Sequence, residues 1–248
     1  MKAMVLAAGL GTRLRPLTDE RPKALVEVGG RTMLEIALAR LREFGVREVI
    51  VNLHHFADMV VEYLSAHDGF GMRVEVSRED ELLDTGGGLK KAAWFFLEDA
   101  HADEPFLLHN VDVMSRIDLR AMVEFHRTQS ALATLAVQER ETSRYLLFDG
   151  QGELCGRRAG QQGEVEWVRQ SGPMTALAFS GIHVISTRML QEMDEEGAFS
   201  IIRTYLRLAE KSERICGFRA DAYYWRDLGQ VTSLREAERD LRAGVLPG

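Results

Sequence analysis

The chain begins with a stretch that decides how the rest of it is interpreted, Met4-Val5-Leu6-Ala7-Ala8-Gly9-Leu10-Gly11-Thr12-Arg13-Leu14-Arg15-Pro16-Leu17-Thr18, followed by Arg21-Pro22-Lys23. A short apolar run, typical of a buried strand, stops at a glycine, and the two glycines let the backbone turn sharply and approach a ligand closely. Backbone N–H groups in such a turn can converge on an anion, and the residues from Arg13 to Lys23 include four cations. The stretch therefore predicts a loop that binds a polyphosphate. The alternative is a strand-to-loop turn with a solvated basic edge.

Two other kinds of phosphate loop do not fit these residues. The loop lacks the G-K-[ST] ending of a P-loop, and Leu14 stands where the dinucleotide fingerprint G-x-G-x-x-G has its third glycine. A nicotinamide-dependent oxidoreductase also needs an acidic ribose ligand at the end of the second strand, where this chain has Asn52-Leu53-His54. We therefore rank an oxidoreductase below a nucleotide-binding enzyme of another type.

The composition is that of an ordinary globular protein, and 248 residues suit one α/β domain or two small ones. A formal net charge of −7 argues against a nucleic-acid-binding surface, which needs a basic face. Cys155 and Cys216 form no CxxC motif and predict buried thiols in a reducing compartment. No apolar run approaches the roughly 18 residues that span a bilayer. We expect a cytoplasmic monomer or homodimer with no nucleic acid and no membrane as partner.

Predicted strands and helices alternate along the first 140 residues, and such alternation indicates right-handed βαβ units. We therefore predict an α/β fold, a Rossmann-like mixed, mainly parallel sheet flanked by helices. Thr32 is the predicted N-cap of the first helix and Gly45 its end. The predicted strands are 3–7, 48–53, 73–77, 105–110 and 131–138, and the predicted helices are 33–44, 57–66, 89–98 and 119–129.

The pattern changes after residue 140. We predict a hairpin over 145–155, a mobile polar loop over 156–172, strands at 176–186, 214–219 and 223–227, and helices at 199–211 and 231–243. No linker separates these elements from the preceding ones. The simplest organisation is a single domain over 1–248, with a nucleotide-binding half (1–140) and an α+β half (141–248) that folds back over the same sheet.

Ligands of open parallel sheets bind outside the carboxyl ends of the strands. The fourth predicted strand ends there in His109-Asn110-Val111-Asp112. Asp112 follows a buried apolar run, where a carboxylate needs a partner, and a magnesium ion carried by a nucleotide would supply one. The alternative is a helix cap, a role for which Asp118 is better placed. Asp227, in Trp225-Arg226-Asp227-Leu228-Gly229, fits either a turn or a second metal ligand paired with Asp112.

Two further glycine segments are candidates for ligand contact. The run Asp84-Thr85-Gly86-Gly87-Gly88 leaves backbone groups uncovered that can contact a nucleobase or a sugar hydroxyl, or else it starts a helix that packs closely. Gly181, within Phe179-Ser180-Gly181-Ile182-His183, lies inside a predicted strand and indicates a bulge or a close ligand. Ordinary packing is the alternative there.

Together these motifs resemble those of the sugar-1-phosphate nucleotidyltransferases. The resemblance rests on V-L-A-A-G-L-G-T-R-L-R-P-L-T, on R-P-K-A-L-V-E-V-G-G at 21–30, and on the order of D-T-G-G-G, N-x-D, F-S-G-I and W-x-D-x-G. It covers nearly the whole chain. Within the family the chain looks closest to the N-acetylmuramate-1-phosphate uridylyltransferases, with the mannose-1-phosphate guanylyltransferases as the near alternative.

The resemblance implies a magnesium-dependent reaction in which an NTP and a sugar 1-phosphate give an NDP-sugar, a cell-envelope precursor, and pyrophosphate. UTP with N-acetylmuramate 1-phosphate or a similar sugar is favoured. A mannose- or heptose-1-phosphate guanylyltransferase is the alternative within the family. A nucleotide-binding regulator without turnover is the alternative from another class.

The resemblance also implies roles for individual residues. Arg13, Lys23 and Asp112 would be catalytic, and Asp112 and Asp227 would bind Mg²⁺. Ser180 and Gly181 would contact the sugar. The nucleotide-binding residues that it implies are Leu6, Ala7, Ala8, Gly9, Gly11, Thr12, Arg13, Lys23, Gly86, Gly87 and Asn110.

One departure from the wider family concerns the sugar phosphate. Many members carry an E-K-P motif whose lysine contacts that phosphate, and residues 150–175 contain none. Arg157, Arg158 and Arg169 are the candidates to replace this lysine.

Overall fold

A computed structural model describes residues 1–98, 104–169 and 172–245 of the chain. The fold class is as predicted, α/β with a mixed sheet and flanking helices. The described residues group into two compact units. The first unit contains residues 1–82, 109–116 and 225–245, and the second contains the described residues of 83–108 and 117–224. A single domain with halves that meet at residue 140 stays a prediction.

The strands, in chain order, are β1 (Lys2–Leu6), β2 (Glu27–Val28), β3 (Arg31–Thr32), β4 (Glu48–Leu53), β5 (Arg73–Arg78), β6 (Pro105–Asn110), β7 (Val113–Ser115), β8 (Ala133–Gln138), β9 (Arg144–Phe148), β10 (Leu154–Ala159), β11 (Val165–Trp167), β12 (Thr175–Ser186), β13 (Ile215–Arg219) and β14 (Trp225–Asp227). The helices are α1 (Met33–Phe44), α2 (Ala57–Ala66), α3 (Asp84–Lys91), α4 (Ala93–Leu97), α5 (Leu119–Thr128), α6 (Arg188–Gln191), α7 (Ile201–Glu210) and α8 (Val231–Arg242).

Parallel strands form the framework of the first unit. β4 pairs in parallel with β1 on one side and β5 on the other, so Leu6 lies opposite Asn52 and Asn52 opposite Ser77. Helix α1 has the predicted bounds: the Thr32 hydroxyl accepts the N–H of Glu35 at 3.1 Å, and Gly45 ends the helix with φ +106°. The three strands therefore bring their carboxyl ends to one edge, where the polar residues that follow them lie together.

The second unit is mainly antiparallel. Its ladder runs β11-β10-β9-β12-β8, and β13 adds to β8 in parallel. Fully buried aromatic side chains fill its interior, among them Phe95, Phe106, Phe148 and Tyr205. Asp118 caps α5 by accepting the N–H groups of Arg120 at 2.9 Å and Ala121 at 3.0 Å. The aspartate that caps this helix is thus Asp118, and Asp112 does not do so.

Two sequence predictions differ from the structure. The helix predicted at 89–98 begins earlier, because α3 starts at Asp84 and contains all three glycines, and a second short helix, α4, follows it. The predicted mobile loop 156–172 contains strand residues up to Ala159 and the separate strand β11, while residues 170 and 171 lie outside the described residues. A Cβ on Gly156 would lie 2.4 Å from the carbonyl oxygen of Glu166, so this glycine permits the close pairing of β10 with β11.

Cys155 and Cys216 are free and buried, as expected, and burial raises the pKa of the Cys216 thiol to about 11. In the part of the chain that the structure describes, no helix combines the length and apolarity that a bilayer crossing requires.

Candidate active site

The glycine loop follows the end of β1 in the first unit. Ala7 and Ala8 are buried at 5% and 6% exposure, whereas Gly9 and Leu10 are exposed. A Cβ built on Gly9 would meet no atom within 4 Å, so the space beside it is open. The start of the loop is therefore held by the protein, and its tip is accessible to a ligand.

Gly11 is required at its position for two reasons. Its φ of +66° lies in the left-handed region, and a Cβ would fall 2.9 Å from Thr18 Cγ2 and 3.0 Å from Lys23 Cβ. Its carbonyl oxygen accepts the Leu14 N–H at 2.8 Å and the Thr18 hydroxyl at 2.9 Å. The turn thereby brings the backbone of the loop against the segment that carries Lys23.

The two predicted aspartates lie together in the first unit, although they are far apart in the sequence. β14 pairs antiparallel with β7, with Asp227 opposite Val113. The N–H of Leu228 donates to the carbonyl oxygen of Asp112 at 2.8 Å. Backbone pairing thus places the Asp227 carboxylate beside the Asp112 carboxylate.

Gly229 marks the point where these charges converge. A Cβ at this buried residue would lie 2.7 Å from Asp227 Oδ1, 2.8 Å from Arg13 Nη2 and 3.2 Å from Asp112 Oδ2. The Gly229 N–H also donates to Asp227 Oδ1 at 2.6 Å. Glycine is the residue that leaves this space free, so two carboxylates and one guanidinium surround a small volume without a side chain in it.

Lys23 completes the charged group. Its ammonium contacts Asp112 Oδ2, and the two side chains are only 13% and 15% exposed. Lys23 begins a 3₁₀ turn (Lys23–Leu25) directly after Pro22, whose ring fixes φ at the entrance to the turn. A partly buried carboxylate with an ammonium beside it is held in one place and has a counter-ion.

The two carboxylates around Gly229 are oxygen donors of the kind that Mg²⁺ prefers. Mg²⁺ is commonly bound by one or two carboxylates together with substrate phosphates and water. Asp112 and Asp227 supply two carboxylates, and no group of three or more His, Cys, Asp or Glu residues at metal-binding distance occurs among the described residues. The Asn110 side-chain oxygen is buried and accepts no hydrogen bond from the described part of the chain. The site therefore fits a metal whose remaining ligands come from phosphate and water.

His109 is a buried histidine beside these residues. Burial lowers its pKa from 6.5 to about 4; the Asn110 carbonyl and Asp112 oppose this shift, and Arg40 adds to it. The ring Nδ1 lies 2.8 Å from the Asn110 carbonyl oxygen, which can only accept, so Nδ1 carries the proton. His109 is consequently neutral at physiological pH and adds no charge to the site.

Gly86 and Gly87 lie in the second unit and pack against the segment that precedes α7. Their N–H groups point to the carbonyl oxygen of Phe199 at 2.8 and 3.3 Å. A Cβ on Gly86 would lie 2.3 Å from the Phe199 ring, and one on Gly87 would lie 2.4 Å from the Gly197 carbonyl oxygen. The expectation that their N–H groups are uncovered is therefore wrong, because close packing uses them. Contact of these glycines with a nucleotide stays a prediction.

The predicted irregularity at Gly181 is present in the second unit. Gly181 has φ +75°, and the pairing of β12 with β8 shifts register between Phe179 and His183. The Ser180 hydroxyl is buried and donates to Gln138 Oε1 at 3.2 Å. The Ser180 hydroxyl proton is therefore committed to Gln138, and contact of Ser180 and Gly181 with a sugar stays a prediction.

Asn52 and Glu79 belong to the site region, and the sequence predictions did not include them. Both are buried, at 2% and 4% exposure, at the carboxyl ends of β4 and β5. Asn52 Oδ1 accepts the Ala7 N–H at 2.8 Å, and Asn52 Nδ2 donates to Glu79 Oε1 at 2.7 Å. The available signal was an asparagine at the end of the apolar run Val49-Ile50-Val51.

Comparison with known proteins identifies the family of the chain. The sequence profile of the family described as "Nucleotidyl transferase" matches residues 2–244, and the chain belongs to that family, whose members are enzymes. It is 32% identical to the N-acetylmuramate alpha-1-phosphate uridylyltransferase of Caulobacter vibrioides, over 96% of each protein. It is 30% identical to the mannose-1-phosphate guanyltransferase of Yarrowia lipolytica, over 93% of this chain and 61% of that one.

A solved structure shows the same fold. The chain superposes with a TM-score of 0.78 on the crystal structure of a putative glucose-1-phosphate thymidylyltransferase from Bacillus anthracis in complex with sucrose. The match covers 100% of this chain and 97% of that one at 20% identity. The nucleotide-diphospho-sugar transferase fold that the resemblance implies is thereby confirmed.

Proposed function

We propose that the protein transfers a nucleotidyl group from an NTP to a sugar 1-phosphate in a magnesium-dependent reaction that releases pyrophosphate. The observation that carries this proposal is the convergence of Asp112, Asp227 and Arg13 on the space beside Gly229. UTP with N-acetylmuramate 1-phosphate or a similar sugar is the favoured pair, because the full-length relative from Caulobacter vibrioides carries that name. The proposed enzyme is cytoplasmic, monomeric or homodimeric, and makes a cell-envelope precursor.

The reaction requires the protein to position the substrates and to stabilise their charges. A sugar phosphate is largely dianionic near neutral pH, because its second pKa is about 6, so no protein base is needed. One of its oxygens attacks the α-phosphorus in line; the new P–O bond forms as the bond to the bridging oxygen breaks, and pyrophosphate leaves with those electrons. Asp112 and Asp227 would hold Mg²⁺, which supplies positive charge to the phosphates when bound.

The cations of the first unit would act on the triphosphate. Arg13 lies two residues after Gly11 in the loop, and its guanidinium reaches the space beside Gly229. Lys23 lies on Asp112 at the same place. Both would stabilise the negative charge that develops on the departing pyrophosphate, and such placed charges are a main source of catalysis in phosphoryl transfer.

The remaining predicted contacts are part of the proposal. The glycine loop from Leu6 to Thr12 would surround the triphosphate, with Asn110 nearby. Gly86 and Gly87 would contact the base or ribose. The bulge at Ser180 and Gly181 would meet the sugar through its backbone.

Arg158 is the favoured contact for the sugar phosphate. Arg169 is held by Glu153 Oε2 at 2.6 Å, and Arg157 by Glu166 Oε2 at 2.6 Å. Arg158 forms no ion pair with a described residue. Its Nε donates to the Gly160 carbonyl oxygen at 3.1 Å, and its guanidinium lies 5.2 Å from the centre of the Tyr145 ring. It lines an open cavity of about 430 Å³ together with Arg140 and Gln161, and the carboxylates Glu139 and Glu141 also line this cavity.

Two matched variants test the role of Arg158. We expect Arg158→Ala to raise the KM for the sugar 1-phosphate by about tenfold or more, since charge-assisted bonds contribute roughly 1.5–3 kcal/mol. Arg157→Ala, on the same strand, should leave that KM within about twofold, as exposed ion pairs contribute little. Equal effects of the two variants would reject the assignment.

The central test is a matrix of pyrophosphate release. Four NTPs are combined with N-acetylmuramate, mannose, heptose and glucose 1-phosphates, each with magnesium and with EDTA. Release with UTP and N-acetylmuramate 1-phosphate supports the favoured pair of substrates. Release with GTP and mannose or heptose 1-phosphate supports a guanylyltransferase, the function named for the Yarrowia relative. Nucleotide binding without release from any pair would favour a regulator.

A further inference from the structure

The peptide unit between Leu6 and Ala7 is held from both sides. Its carbonyl oxygen, on Leu6, accepts the N–H of Val111 at 3.1 Å. Its N–H, on Ala7, donates to the side-chain oxygen of Asn52 at 2.8 Å. Because a peptide unit is planar, these two bonds fix the orientation of the plane from which the glycine loop departs.

The two contacts connect different parts of the site region. Val111 directly precedes Asp112, so the carbonyl contact ties the loop to the aspartate segment. Asn52 lies opposite Leu6 in the parallel pairing of β1 with β4, so its amide provides the acceptor for the first N–H beyond β1. The plane therefore sets how the loop is placed relative to Asp112.

Glu79 determines which way the Asn52 amide points. Asn52 Nδ2 donates to Glu79 Oε1 at 2.7 Å, and a carboxylate can only accept. With Nδ2 committed to Glu79, the amide oxygen faces Ala7. Glu79 is itself fixed through its backbone, since its N–H donates to the Leu53 carbonyl at 2.7 Å and its carbonyl oxygen lies 2.8 Å from His54 Nδ1.

We propose that Asn52 and Glu79 are positioning residues for the nucleotide, acting in series through the Leu6–Ala7 peptide plane. This inference rests on the proposed function for the identity of the ligand. Neither side chain touches the substrate in this arrangement: Glu79 orients Asn52, and Asn52 orients the peptide that begins the glycine loop. The loop is then organised before the triphosphate arrives, so less ordering is needed when it binds.

The series arrangement makes a kinetic prediction that ordinary packing does not. We expect Asn52→Leu to raise the KM for MgUTP by about tenfold, since a buried donor left without its acceptor costs that much or more. The KM for the sugar 1-phosphate should stay within about twofold, because only the triphosphate loop is affected. Glu79→Leu should act in the same direction, and Glu79→Gln, which keeps an acceptor, should restore most of the loss.

The decisive measurement is the double variant. If Glu79 acts through Asn52, the double variant Asn52→Leu with Glu79→Leu raises the KM for MgUTP no more than Asn52→Leu alone. In Asn52→Leu there is no amide for Glu79 to orient, so removing Glu79 has no further effect. Independent structural roles would make the two effects multiply, and that result would overturn the proposal. The double variant also removes a buried carboxylate together with its partner, so if Asn52→Leu alone does not fold it is compared with Glu79→Leu, whose KM for MgUTP it should match within about twofold.

Two measurements separate this inference from the proposed reaction. Amide hydrogen exchange at Ala7, followed by NMR, should be slow in the wild type and faster by about tenfold or more in Asn52→Leu. Binding of MgUTP is measured by calorimetry in the same proteins. Ile50→Val, a buried change in β4, serves as control and should leave both Ala7 exchange and MgUTP binding unchanged. Unchanged Ala7 exchange in Asn52→Leu rejects the positioning role, whereas absent pyrophosphate release by the wild type rejects only the proposed reaction.

Discussion

We expect a single methyl group added at Gly229 to reduce activity without unfolding the protein. In Gly229→Ala the new Cβ would approach Asp227 Oδ1 to 2.7 Å and Arg13 Nη2 to 2.8 Å. Both side chains must then move away from the space between them. We expect magnesium-dependent pyrophosphate release to fall by about 100-fold, because a small misplacement of catalytic charge costs that much.

Gly150→Ala is the matched control for this substitution. A Cβ at Gly150 would meet no atom within 4 Å. We expect normal pyrophosphate release from this variant and a change in the free energy of unfolding below about 0.5 kcal/mol. Full activity of Gly229→Ala would contradict the placement of the reaction at this point.

Burial of His109 should make the folded protein less stable as the pH falls. Its pKa is lowered from 6.5 to about 4 by burial, so the folded chain binds fewer protons than the unfolded chain between these values. Its contribution is complete above pH 6.5 and is lost as the pH falls through this window. The shift corresponds to about 2 kcal/mol lost between pH 7.5 and pH 5.

Urea unfolding of wild type and His109→Gln at both pH values tests this expectation. The difference in unfolding free energy between the two pH values should be smaller in His109→Gln by about 2 kcal/mol. His67→Gln, at an exposed histidine, is the matched control. An unchanged dependence in His109→Gln would show that burial does not lower the pKa of His109 and that the ring is protonated in the folded protein at pH 5.

Helix α5 and the β7–β14 pair allow the two aspartate roles to be separated. Asp118 accepts two backbone N–H groups at the start of α5, and Asp112 contacts Lys23. Asp118→Ala should lower Tm by about 2–4 °C through loss of roughly 1 kcal/mol of capping, with pyrophosphate release unchanged. Asp112→Asn should reduce pyrophosphate release sharply and keep the fold. The reverse pattern would exchange the two assignments.

The bounds of a helix or strand can be predicted from the sequence when the residues that determine them lie close together in the chain. The bounds of α1 follow from Thr32 and Gly45, which act within one helical turn. The start of α3 was missed because three successive glycines disfavour a helix, and here contacts with Gly197 and Phe199 outweigh that preference.

The Asn52–Glu79 contact joins two strands, and no local pattern specifies it. Asp112 and Asp227 were predicted as a pair, and the pairing of β7 with β14, which no local pattern specifies, brings them together.

Ligand binding should raise the Tm of the whole protein. A ligand that binds only the folded chain stabilises it by about 2.7 kcal/mol at 100 times its Kd, which corresponds to a rise in Tm of several degrees for a protein of this size. Because Asp112 and Asp227 would hold the metal that accompanies the triphosphate, MgUTP should raise Tm more than UTP with EDTA. Asp112→Asn should remove most of this difference, while Asp118→Ala, with its lower starting Tm, should keep it. Equal shifts with and without magnesium in the wild type would show that the triphosphate binds through Arg13, Lys23 and the glycine loop alone, and the two carboxylates would then have no part in nucleotide binding.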